Sequence, residues 1–455
     1  MYIDDTIAAL ATPLGEGGIG IVRISGPQAV DALEAIFRPK TEKRIRDFES
    51  HTLYLGNIIS PRDGGVIDEA LVAIMYAPRT FTREDVVEIN CHGGSMPLRK
   101  TLEAVLAQGV RLAQPGEFTK RAFLNGRIDL VQAESILDII RSRTHEGLRA
   151  AVDNLEGSIS REIEGIRKQL SNILALVEVN IDFPEEDEEA AMGPGELEDE
   201  LNKAAHEITR LLEGAGKGKI LRDGIKVVIV GKPNVGKSSL LNTLLREKRA
   251  IVTDIPGTTR DIIEENLNLA GIPIRIIDTA GIRETGDEVE MIGVERSRKS
   301  LKNADLALII FDITTGIQDE DGMIMDLVGD IPHLKLLNKI DLMDRAEELY
   351  DEEFIPISAK TGAGMDLLEK NIGKIIEMDN IIGDQPLINR IRHEQALQRA
   401  LESIENAKKS SEVGHPLDII AIDIKEAWSH LGEIVGDTVT EEILDIIFQE
   451  FCIGK

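Results

Sequence analysis

Cysteine is scarce in this chain of 455 residues, in which Cys91 and Cys452 are the only two. Two cysteines so far apart in sequence cannot build a disulfide scaffold or a cysteine zinc site. Low cysteine usage of this kind is typical of proteins in a reducing cytosol. We therefore expect a cytoplasmic protein.

Long apolar runs are missing as well. No run approaches the roughly 20 residues that a transmembrane helix needs, and residues 1–5 show no signal-peptide pattern. We also find no internal repeat and no long low-complexity segment. These absences predict a protein that does not associate with a membrane.

Positive charge is in deficit, with 52 lysine and arginine residues against 81 aspartate and glutamate residues and a formal net charge of −29. Such an acidic balance argues against a broad surface that grips nucleic acid unaided. A protein of this charge that acts on RNA needs a small basic site, or a partner that holds the RNA.

The residues that are present predict a globular protein of about two to four domains, with a hydrophobic content of 42%. Short β-rich runs indicate an α+β domain over residues 1–118. Helical periodicity fills residues 119–220 and 379–455, on either side of an α/β region at 221–378. We predict a multi-domain α+β and α/β fold in which a nucleotide domain is inserted into a helical domain. Apolar residues expected to share one helix face near the start of the helical domain are Leu130, Ala133, Leu137 and Ile140.

Three local predictions concern the helical regions. The glycines of residues 214–218 predict a hinge ahead of the inserted domain. Thr438 and Glu441 have capping-box spacing before an apolar run, which predicts a helix start there. The acidic residues 184–189 predict a solvated turn between helices.

Residues 231–238 read Gly-Lys-Pro-Asn-Val-Gly-Lys-Ser and match the phosphate-binding pattern GxxxxGK[ST]. An apolar run at 225–230 predicts a strand before them, and residues 239–245 predict a helix after them. In that context backbone N–H groups and the helix N-terminus point at phosphate oxygens. We predict that Lys237 reaches the outer phosphates and that Ser238 binds Mg²⁺.

Residues 338–341 read Asn-Lys-Ile-Asp and follow another predicted strand, as does the Ser-Ala-Lys run at 358–360. The Asp341 carboxylate can accept hydrogen bonds from guanine N1–H and from its exocyclic amine, a donor pair that adenine lacks. Asn338 and Lys339 are predicted to brace the loop and cover the ring. These motifs predict a site for GTP rather than ATP.

A fourth predicted strand leads into Asp-Thr-Ala-Gly at residues 278–281. Asp278 is predicted to hold the Mg²⁺ shell through water, and the Gly281 N–H to sense the γ-phosphate. Thr259, on the predicted first switch, offers a second hydroxyl ligand to Mg²⁺. Four motifs in this order predict a GTPase.

Glutamine is absent from the position where many regulatory GTPases use it to orient water, because Ile282 follows the Asp-Thr-Ala-Gly motif. Another group must therefore orient the water. Glu290 on the predicted second switch is favoured, although Glu284, Asp287 and Glu288 are comparable on sequence alone.

With these motifs together, the sequence resembles the MnmE (TrmE) family of tRNA-modification GTPases from end to end. The combination is specific to that family. The matching segments outside the GTPase motifs are residues 5–7, 23–26, 81–85, 92–94, 115–118, 121–126 and 451–455.

The resemblance implies that residues 1–118 bind folate and form a homodimer. It implies a flavin-containing, MnmG-like partner, in a heterotetramer that forms a 5-carboxymethylaminomethyl-type group at the wobble uridine of certain tRNAs. The one-carbon unit would come from 5-formyl- or 5,10-methylene-tetrahydrofolate. GTP hydrolysis would be driven by K⁺-dependent dimerisation of the G domains.

The resemblance also assigns roles to residues around the nucleotide. The catalytic glutamate of the family matches Glu290, and its Mg²⁺ ligands match Ser238 and Thr259. A K⁺ ion would neutralise developing phosphate charge there, as an arginine finger does elsewhere. Its expected ligands are Asn234, Thr253, Ile255 and Thr258. The expected GTP-binding residues are Asn234, Val235, Gly236, Lys237, Ser238, Ser239, Thr253, Asp254, Ile255, Pro256, Gly257, Thr258, Thr259, Asp278, Thr279, Ala280, Gly281, Asn338, Lys339, Asp341, Ser358, Ala359 and Lys360.

The folate contacts of the family match Arg23, Glu88, Arg127 and Lys455. A carboxylate such as Glu88 can pair with donor groups of a pterin, and basic groups suit the glutamate tail. Some members carry lysine where Arg127 stands, so the geometry of that contact differs among them. Cys452 matches the cysteine of the C-terminal CxGK signature and is a candidate for a chemical role, although a lone cysteine is more often a packing residue.

Two other classes of GTPase fit the sequence less well. A ribosome-assembly or checkpoint GTPase usually carries a basic RNA-binding module, and a dynamin-like GTPase would need a basic amphipathic helix or a lipidation motif. The sequence contains no basic RNA-binding module, no basic amphipathic helix and no lipidation motif. The leading prediction is a K⁺-activated GTPase in a tRNA-modifying complex.

Overall fold

The computed structural model describes residues 5–182, 194–248, 265–269, 271–277, 301–343, 353–375 and 387–455. Its contacts divide the chain into two compact units, one formed by Met1–Leu137 with Gly432–Lys455 and the other by Asp138–Leu431. The second unit holds both helical and nucleotide-domain segments, so the boundaries predicted at residues 118, 220 and 378 stay predictions.

The first unit is built on a seven-stranded sheet with the strand order β3-β4-β5-β6-β2-β1-β7. Neighbouring strands are antiparallel except β1 and β7, which are parallel. Its elements up to the third helix are β1 (Ile7–Leu10), β2 (Gly17–Ser25), α1 (Ala29–Ile36), β3 (Phe37–Pro39), β4 (Thr52–Ile59), β5 (Val66–Met75), β6 (Val86–Gly93), α2 (Ser95–Leu106), β7 (Arg111–Leu112) and α3 (Glu117–Leu124).

The core of this unit lies between the sheet and helices α1 and α2. Alternation along β2 directs Val22 and Ile24 into it, where they join Leu33 of α1 and Leu98 of α2. A smaller cluster, here called the Phe118 cluster, consists of Ile7, Ala9, Ala113 and Phe118, with Phe81 packed against it. Two arginines lie over the aromatic rings of this cluster.

The second unit begins with helices and continues into a six-stranded sheet. Its elements are α4 (Leu130–Arg141, which starts in the first unit), α5 (His145–Leu155), α6 (Ser158–Asp182), α7 (Pro194–Glu213), α8 (Ala215–Asp223), β8 (Ile225–Val230), α9 (Lys237–Lys248), β9 (Glu265–Leu269), β10 (Ile272–Ile277), β11 (Leu306–Asp312), α10 (Asp319–Val328), β12 (His333–Asn338), β13 (Phe354–Pro356), α11 (Met365–Ile375), α12 (Ile391–Glu412) and α13 (Leu417–Val435).

The sheet has the order β13-β12-β11-β8-β10-β9, and only the β10–β9 pair is antiparallel. Val227 and Ile229 of β8 join the core on one face of the sheet, whereas Val228 and Val230 join the core on the other. Burial on both faces is why β8 is apolar apart from the exposed Lys226, as central parallel strands are. The arrangement agrees with the α/β fold predicted for the inserted nucleotide domain.

Three local predictions were wrong. The predicted hinge at 214–218 lies largely within helix α8, where a Cβ on Gly218 would come within 2.2 Å of the Ile388 carbonyl oxygen. Gly218 therefore allows the backbone at Ile388 to approach the helix closely, and does not act as a flexible joint. Ile140, predicted to share the apolar face of α4, is 43% exposed.

The third correction concerns the C-terminus, where helix α14 (Glu441–Gln449) follows Thr440 as its N-cap. The helix start predicted at Thr438 is two residues too early. The acidic residues 184–189 lie outside the described residues. Within the described ranges, no helix is both long enough and apolar enough to cross a bilayer.

Candidate functional site

The loop after β8 has the backbone of a phosphate cradle. The strand before it and helix α9 after it are present as predicted. Three of its residues have positive φ: Gly231 at 154°, Asn234 at 62° and Gly236 at 105°. A Cβ on Gly236 would lie 2.2 Å from Nδ2 of Asn338, so glycine is required where the loop meets that side chain.

Lys237 points back into this loop. Its Nζ donates to the carbonyl oxygens of Gly231 at 2.8 Å and Lys232 at 2.7 Å. Burial lowers the pKa of the ammonium group, since desolvation disfavours its charged form. A phosphate oxygen arriving in the loop would compensate that buried charge better than two carbonyls do.

Asn338, at the end of β12, joins two of the predicted motifs to each other. Its Nδ2 donates to the Val235 carbonyl in the phosphate loop at 2.7 Å, and its Oδ1 accepts from the Ala359 N–H at 2.9 Å. The side chain is 2% exposed. A single buried amide thus links the phosphate loop to the loop at residues 358–360.

The guanine-selecting residue predicted from sequence, Asp341, lies beside this link. The Ser358 hydroxyl, fully buried, donates to Asp341 Oδ1 at 2.6 Å. Thr243 of α9 donates to the Ala359 carbonyl at 2.6 Å, which ties the same loop to the helix. Asp341 and Lys360 themselves are exposed. The carboxylate is therefore oriented by a buried partner yet open to a ligand.

Lys339, predicted to brace the loop and cover the ring, is paired with a residue of a neighbouring strand. Its Nζ lies 2.5 Å from Oδ2 of Asp312, the last residue of β11. Burial would raise the pKa of Asp312, but hydrogen bonds from Lys339 and Thr314 outweigh it, so the pKa lies below its usual value. Sequence reasoning missed Asp312, because nothing in its local pattern marks it as a partner of residue 339.

A second connection missed from sequence involves Lys232 in the phosphate loop. Its Nζ lies 2.7 Å from Asp321 Oδ2 and 2.8 Å from Gln318 Oε1, at the start of helix α10. Gln318 and Asp321 stand three residues apart at a helix start, which is the one sequence signal that could have drawn attention to them.

Among the predicted Mg²⁺ ligands, Ser238 lies half-buried in the first turn of α9. The positive end of the helix favours phosphate oxygens, and a hydroxyl beside them can ligate a metal ion that those oxygens hold. In the part of the chain that the structure describes, no group of three or more histidine, cysteine, aspartate or glutamate side chains is arranged to hold a metal ion.

Several predicted residues lie outside the described residues. They are the predicted catalytic residue Glu290 with its alternatives Glu284, Asp287 and Glu288, the K⁺ and switch residues Thr253, Asp254, Ile255, Pro256, Gly257, Thr258 and Thr259, and the residues Asp278, Thr279, Ala280, Gly281 and Ile282.

The first unit brings three of the four predicted folate residues together. Arg23 on β2 faces Glu88 on β6 in the strand register, and Nε of Arg23 donates to Glu88 Oε1 at 2.8 Å. Arg23 Nη1 also donates to the Gly454 carbonyl at 3.3 Å. The Lys455 carbonyl accepts from the Phe118 N–H at 3.2 Å.

Both predicted arginines lie over rings of the Phe118 cluster. The guanidinium carbon of Arg23 is 5.8 Å from the centre of the Phe118 ring, and that of Arg127 is 4.9 Å from the centre of the Phe81 ring. Burial, followed by the charge of Arg83, lowers the pKa of Arg127. Arg23 lies beside a carboxylate and Arg127 lies over a neighbouring ring, and groups of these kinds can accept a planar heterocycle with an anionic tail.

The two cysteines have opposite surroundings. Cys452 lies in the C-terminal segment and is exposed. Its main-chain carbonyl accepts a hydrogen bond from the Gly116 N–H. Cys91 is buried on β6, and its burial raises the pKa of the thiol to about 11, against a smaller lowering by Thr101. Only Cys452 is therefore placed for the chemical role considered from sequence.

Two family models match the chain. One, described as the MnmE helical domain, matches residues 130–452, and the other, described as the N-terminus of the GTP-binding protein TrmE, matches residues 6–127.

Curated relatives match over the whole length. The tRNA modification GTPase MnmE of Heliobacterium modesticaldum is 52% identical, and that of Carboxydothermus hydrogenoformans is 49% identical; each alignment covers 100% of both chains. Among solved structures, Aquifex aeolicus Era bound to GDP and AlF4⁻ is 31% identical over 39% of this chain and 66% of its own, with a TM-score of 0.28. At so low a score this likeness adds nothing to the sequence relationship.

Proposed function

Because this chain belongs to the MnmE family of tRNA modification GTPases, we propose that it is a K⁺-activated GTPase within a tRNA-modifying complex. It works with a flavin-containing, MnmG-like partner and forms a 5-carboxymethylaminomethyl-type group at the wobble uridine of certain tRNAs. The one-carbon unit comes from a reduced folate, and hydrolysis follows dimerisation of the G domains.

The link made by Asn338 is the observation that carries the GTPase part of this proposal. One buried amide holds the phosphate loop at Val235 and the Ser-Ala-Lys loop at Ala359, so phosphate and base contacts are built as a single unit. Asp341 is oriented by Ser358 within the same unit. A chain that only retained the fold would not need these connections.

In this proposal the residues of the chain bind and orient GTP. Lys237 leaves its carbonyl partners and binds the outer phosphates, while Asp341 accepts from the guanine edge. Ser238, together with Thr259, would hold Mg²⁺, which supplies charge neutralisation on the phosphates when bound. Glu290 orients the attacking water.

The K⁺ part of the proposal is supported at one described residue. Asn234 is exposed at the tip of the phosphate loop, in a left-handed backbone conformation that asparagine tolerates. Its amide oxygen is therefore available to a cation that arrives with a second G domain. The other proposed ligands, Thr253, Ile255 and Thr258, lie outside the described residues.

The folate part is supported by the arrangement around Glu88 and Arg23. The carboxylate can pair with pterin donors, and Arg127 and Lys455 offer positive charge to the glutamate tail. We further propose the domain order predicted from sequence, with folate binding and dimerisation in residues 1–118 and the G domain in 221–378. The cytoplasmic location stays a prediction.

Nucleoside analysis of tRNA tests the whole proposal. Cells lacking this protein should lose the wobble-uridine modification, and the wild-type gene should restore it whereas Lys237→Ala should not. Unchanged wobble uridines in the deletion strain would overturn the proposal. A defect in ribosome assembly with intact uridines would favour the ribosome-assembly class of GTPase.

A further inference from the structure

Lys232 carries a buried positive charge that GTP binding does not itself explain. The residue is 8% exposed, and its ammonium is held by Asp321 Oδ2 at 2.7 Å and Gln318 Oε1 at 2.8 Å. Asp321 is 2% exposed. Two charges buried this deeply persist only when each is paired and further hydrogen-bonded.

The partners of Lys232 are themselves fixed by a helix cap. Gln318 and Asp321 form a reciprocal capping box at the start of α10. The Gln318 N–H donates to Asp321 Oδ2 at 2.9 Å, and the Asp321 N–H donates to the Gln318 carbonyl at 3.0 Å. The carboxylate oxygen of Asp321 that holds Lys232 is therefore positioned by the helix, whether or not the lysine is present.

The backbone of Lys232 bears on the phosphate-binding lysine. Its carbonyl accepts from Lys237 Nζ at 2.7 Å, beside the Gly231 carbonyl at 2.8 Å. Because the side chain of Lys232 is tethered, the position of this carbonyl is restrained as well. Helix α10 thus fixes the place where the ammonium of Lys237 rests.

The loop is held at a second point, where the Val235 carbonyl accepts from Asn338. Between the two tethers lie Pro233 and Asn234, both exposed. The conformation of this tip is set by its two ends, so the loss of either tether releases it.

We infer that Lys232 is a positioning residue, which pre-orders the phosphate loop by tying it to the cap of α10. The inference rests on the proposed binding of GTP by this loop. An ordered loop binds nucleotide without first losing conformational entropy, so the tether should strengthen GTP and GDP binding alike. A uniform contribution of that kind lowers the KM for GTP and leaves kcat unchanged.

The test separates positioning from the simple satisfaction of a buried charge. Lys232→Met alone leaves the buried Asp321 carboxylate without a cation partner. This lowers the melting temperature whatever the role of the lysine. The double variant Lys232→Met with Asp321→Asn removes both charges, and the asparagine can still accept from the Gln318 N–H. We expect its melting temperature to return close to that of the wild type.

The expected result is that nucleotide affinity does not return with stability. In the double variant, GTP and GDP should bind roughly 10-fold to 100-fold more weakly, the range of a lost hydrogen bond to a charged group. KM should rise by the same factor while kcat stays within a small factor of the wild type. Lys232→Arg, which keeps the charge, should recover part of the affinity.

Lys335→Met is the matched control. Lys335 lies on β12 of the same sheet and pairs with Glu353 at 2.7 Å, but Glu353 is 67% exposed. The loss of this ion pair in Lys335→Met should change neither the melting temperature nor the affinity for nucleotide.

Wild-type affinity in the stable double variant would overturn the inference. Should that variant fail to fold, Lys232→Met alone removes both contacts of the lysine with the cap, and unchanged GTP affinity in that variant, measured at a temperature where it is folded, would overturn the inference equally. A wild-type protein that binds no GTP would instead refute the proposed function, so the two failures are distinguishable.

Discussion

Asp341 is an exposed carboxylate whose orientation depends on a fully buried hydroxyl, that of Ser358. Exposure gives a ligand access, and the hydrogen bond reduces the number of side-chain rotamers that would have to be ordered on binding. At the scale of single residues, the chain therefore combines rigid support with an open functional group. The two cysteines show the converse, since burial removes reactivity from one of them.

Asp341→Asn should change which base is bound. The amide can no longer accept both hydrogen bonds from guanine, so GTP affinity should fall roughly 100-fold or more. Xanthine has a carbonyl in place of the exocyclic amine, and an asparagine N–H can donate to it. XTP should therefore bind the variant more tightly than the wild type, as measured by competition with a fluorescent nucleotide.

Asp366→Asn is the control for this change of base preference. Asp366 is an exposed carboxylate in the first turn of α11, outside the predicted nucleotide motifs. The same loss of charge there should leave the affinities for GTP and XTP at their wild-type values. A preference for GTP that survives in Asp341→Asn would show that another group selects the base.

The two thiols should differ in alkylation. The raised pKa of Cys91, about 11, means that it is protonated at all ordinary pH values and becomes a thiolate only as the pH rises toward that value. Iodoacetamide at roughly pH 8, near the ordinary pKa of a thiol, should modify the exposed Cys452 and leave Cys91 intact until the protein is denatured. Peptide mass spectrometry reads both sites, and modification of Cys91 in the native protein would contradict its burial.

At the scale of elements, the C-terminal segment completes the candidate folate site. Ile453 pairs with Pro115 in an isolated antiparallel bridge, and Gly454 accepts from Arg23. Gly454 has a φ of 94°, and a Cβ there would come within 2.0 Å of the Leu10 carbonyl oxygen of β1. Only glycine allows the segment to lie against this strand.

Gly454→Ala should displace the segment and weaken folate binding. The positive φ alone should cost more than roughly 1 kcal/mol, and the collision with backbone adds to it. Thermal protection of the full-length protein by 5-formyltetrahydrofolate should shrink in the variant. Gly109→Ala is the control, because Gly109 has a similar φ of 86° with nothing within 4 Å of a Cβ. Equal thermal protection of both variants by the folate would show that the C-terminal segment is not part of the folate site.

At the scale of the whole molecule, the proposed activity requires more than one copy of the chain. The phosphate loop exposes Asn234 at its tip, and the resemblance to the family assigns this residue to a K⁺ ion that forms part of a dimer of G domains. Such a site would be incomplete in one chain, so its activity should depend on both salt and protein concentration.

GTP turnover should rise roughly tenfold or more when Na⁺ is replaced by K⁺, because a cation there neutralises developing phosphate charge. Asn234→Gly tolerates the left-handed backbone, and it should abolish the difference between the salts while GTP still binds. Equal wild-type rates in K⁺ and Na⁺ would contradict the K⁺ proposal.

Glu290→Ala should stop turnover in both salts. Turnover retained by this variant would assign the catalytic role to Glu284, Asp287 or Glu288 instead.

Local patterns predicted a large share of the fold. Strand β8 has the bounds expected from its apolar run, because a central parallel strand is apolar on both faces. The glycines at 214–218 were misinterpreted as a hinge, since a sequence does not distinguish a glycine that flexes from one that allows close packing. Only the approach of Ile388 to Gly218 decides between them.

The sequence by itself determined that this protein carries a strand-loop-helix phosphate motif, a motif typical of guanine selection and the marks of its family, since these depend on residue types at short, regular spacing. Tertiary structure alone decided which distant side chains meet. Arg23 faces Glu88 through the register of β2 and β6. Lys232, in the phosphate loop, forms an ion pair with Asp321 at the start of α10. The physical reason is that a buried charge selects its partner by distance in space, and chain separation carries almost no information about that distance.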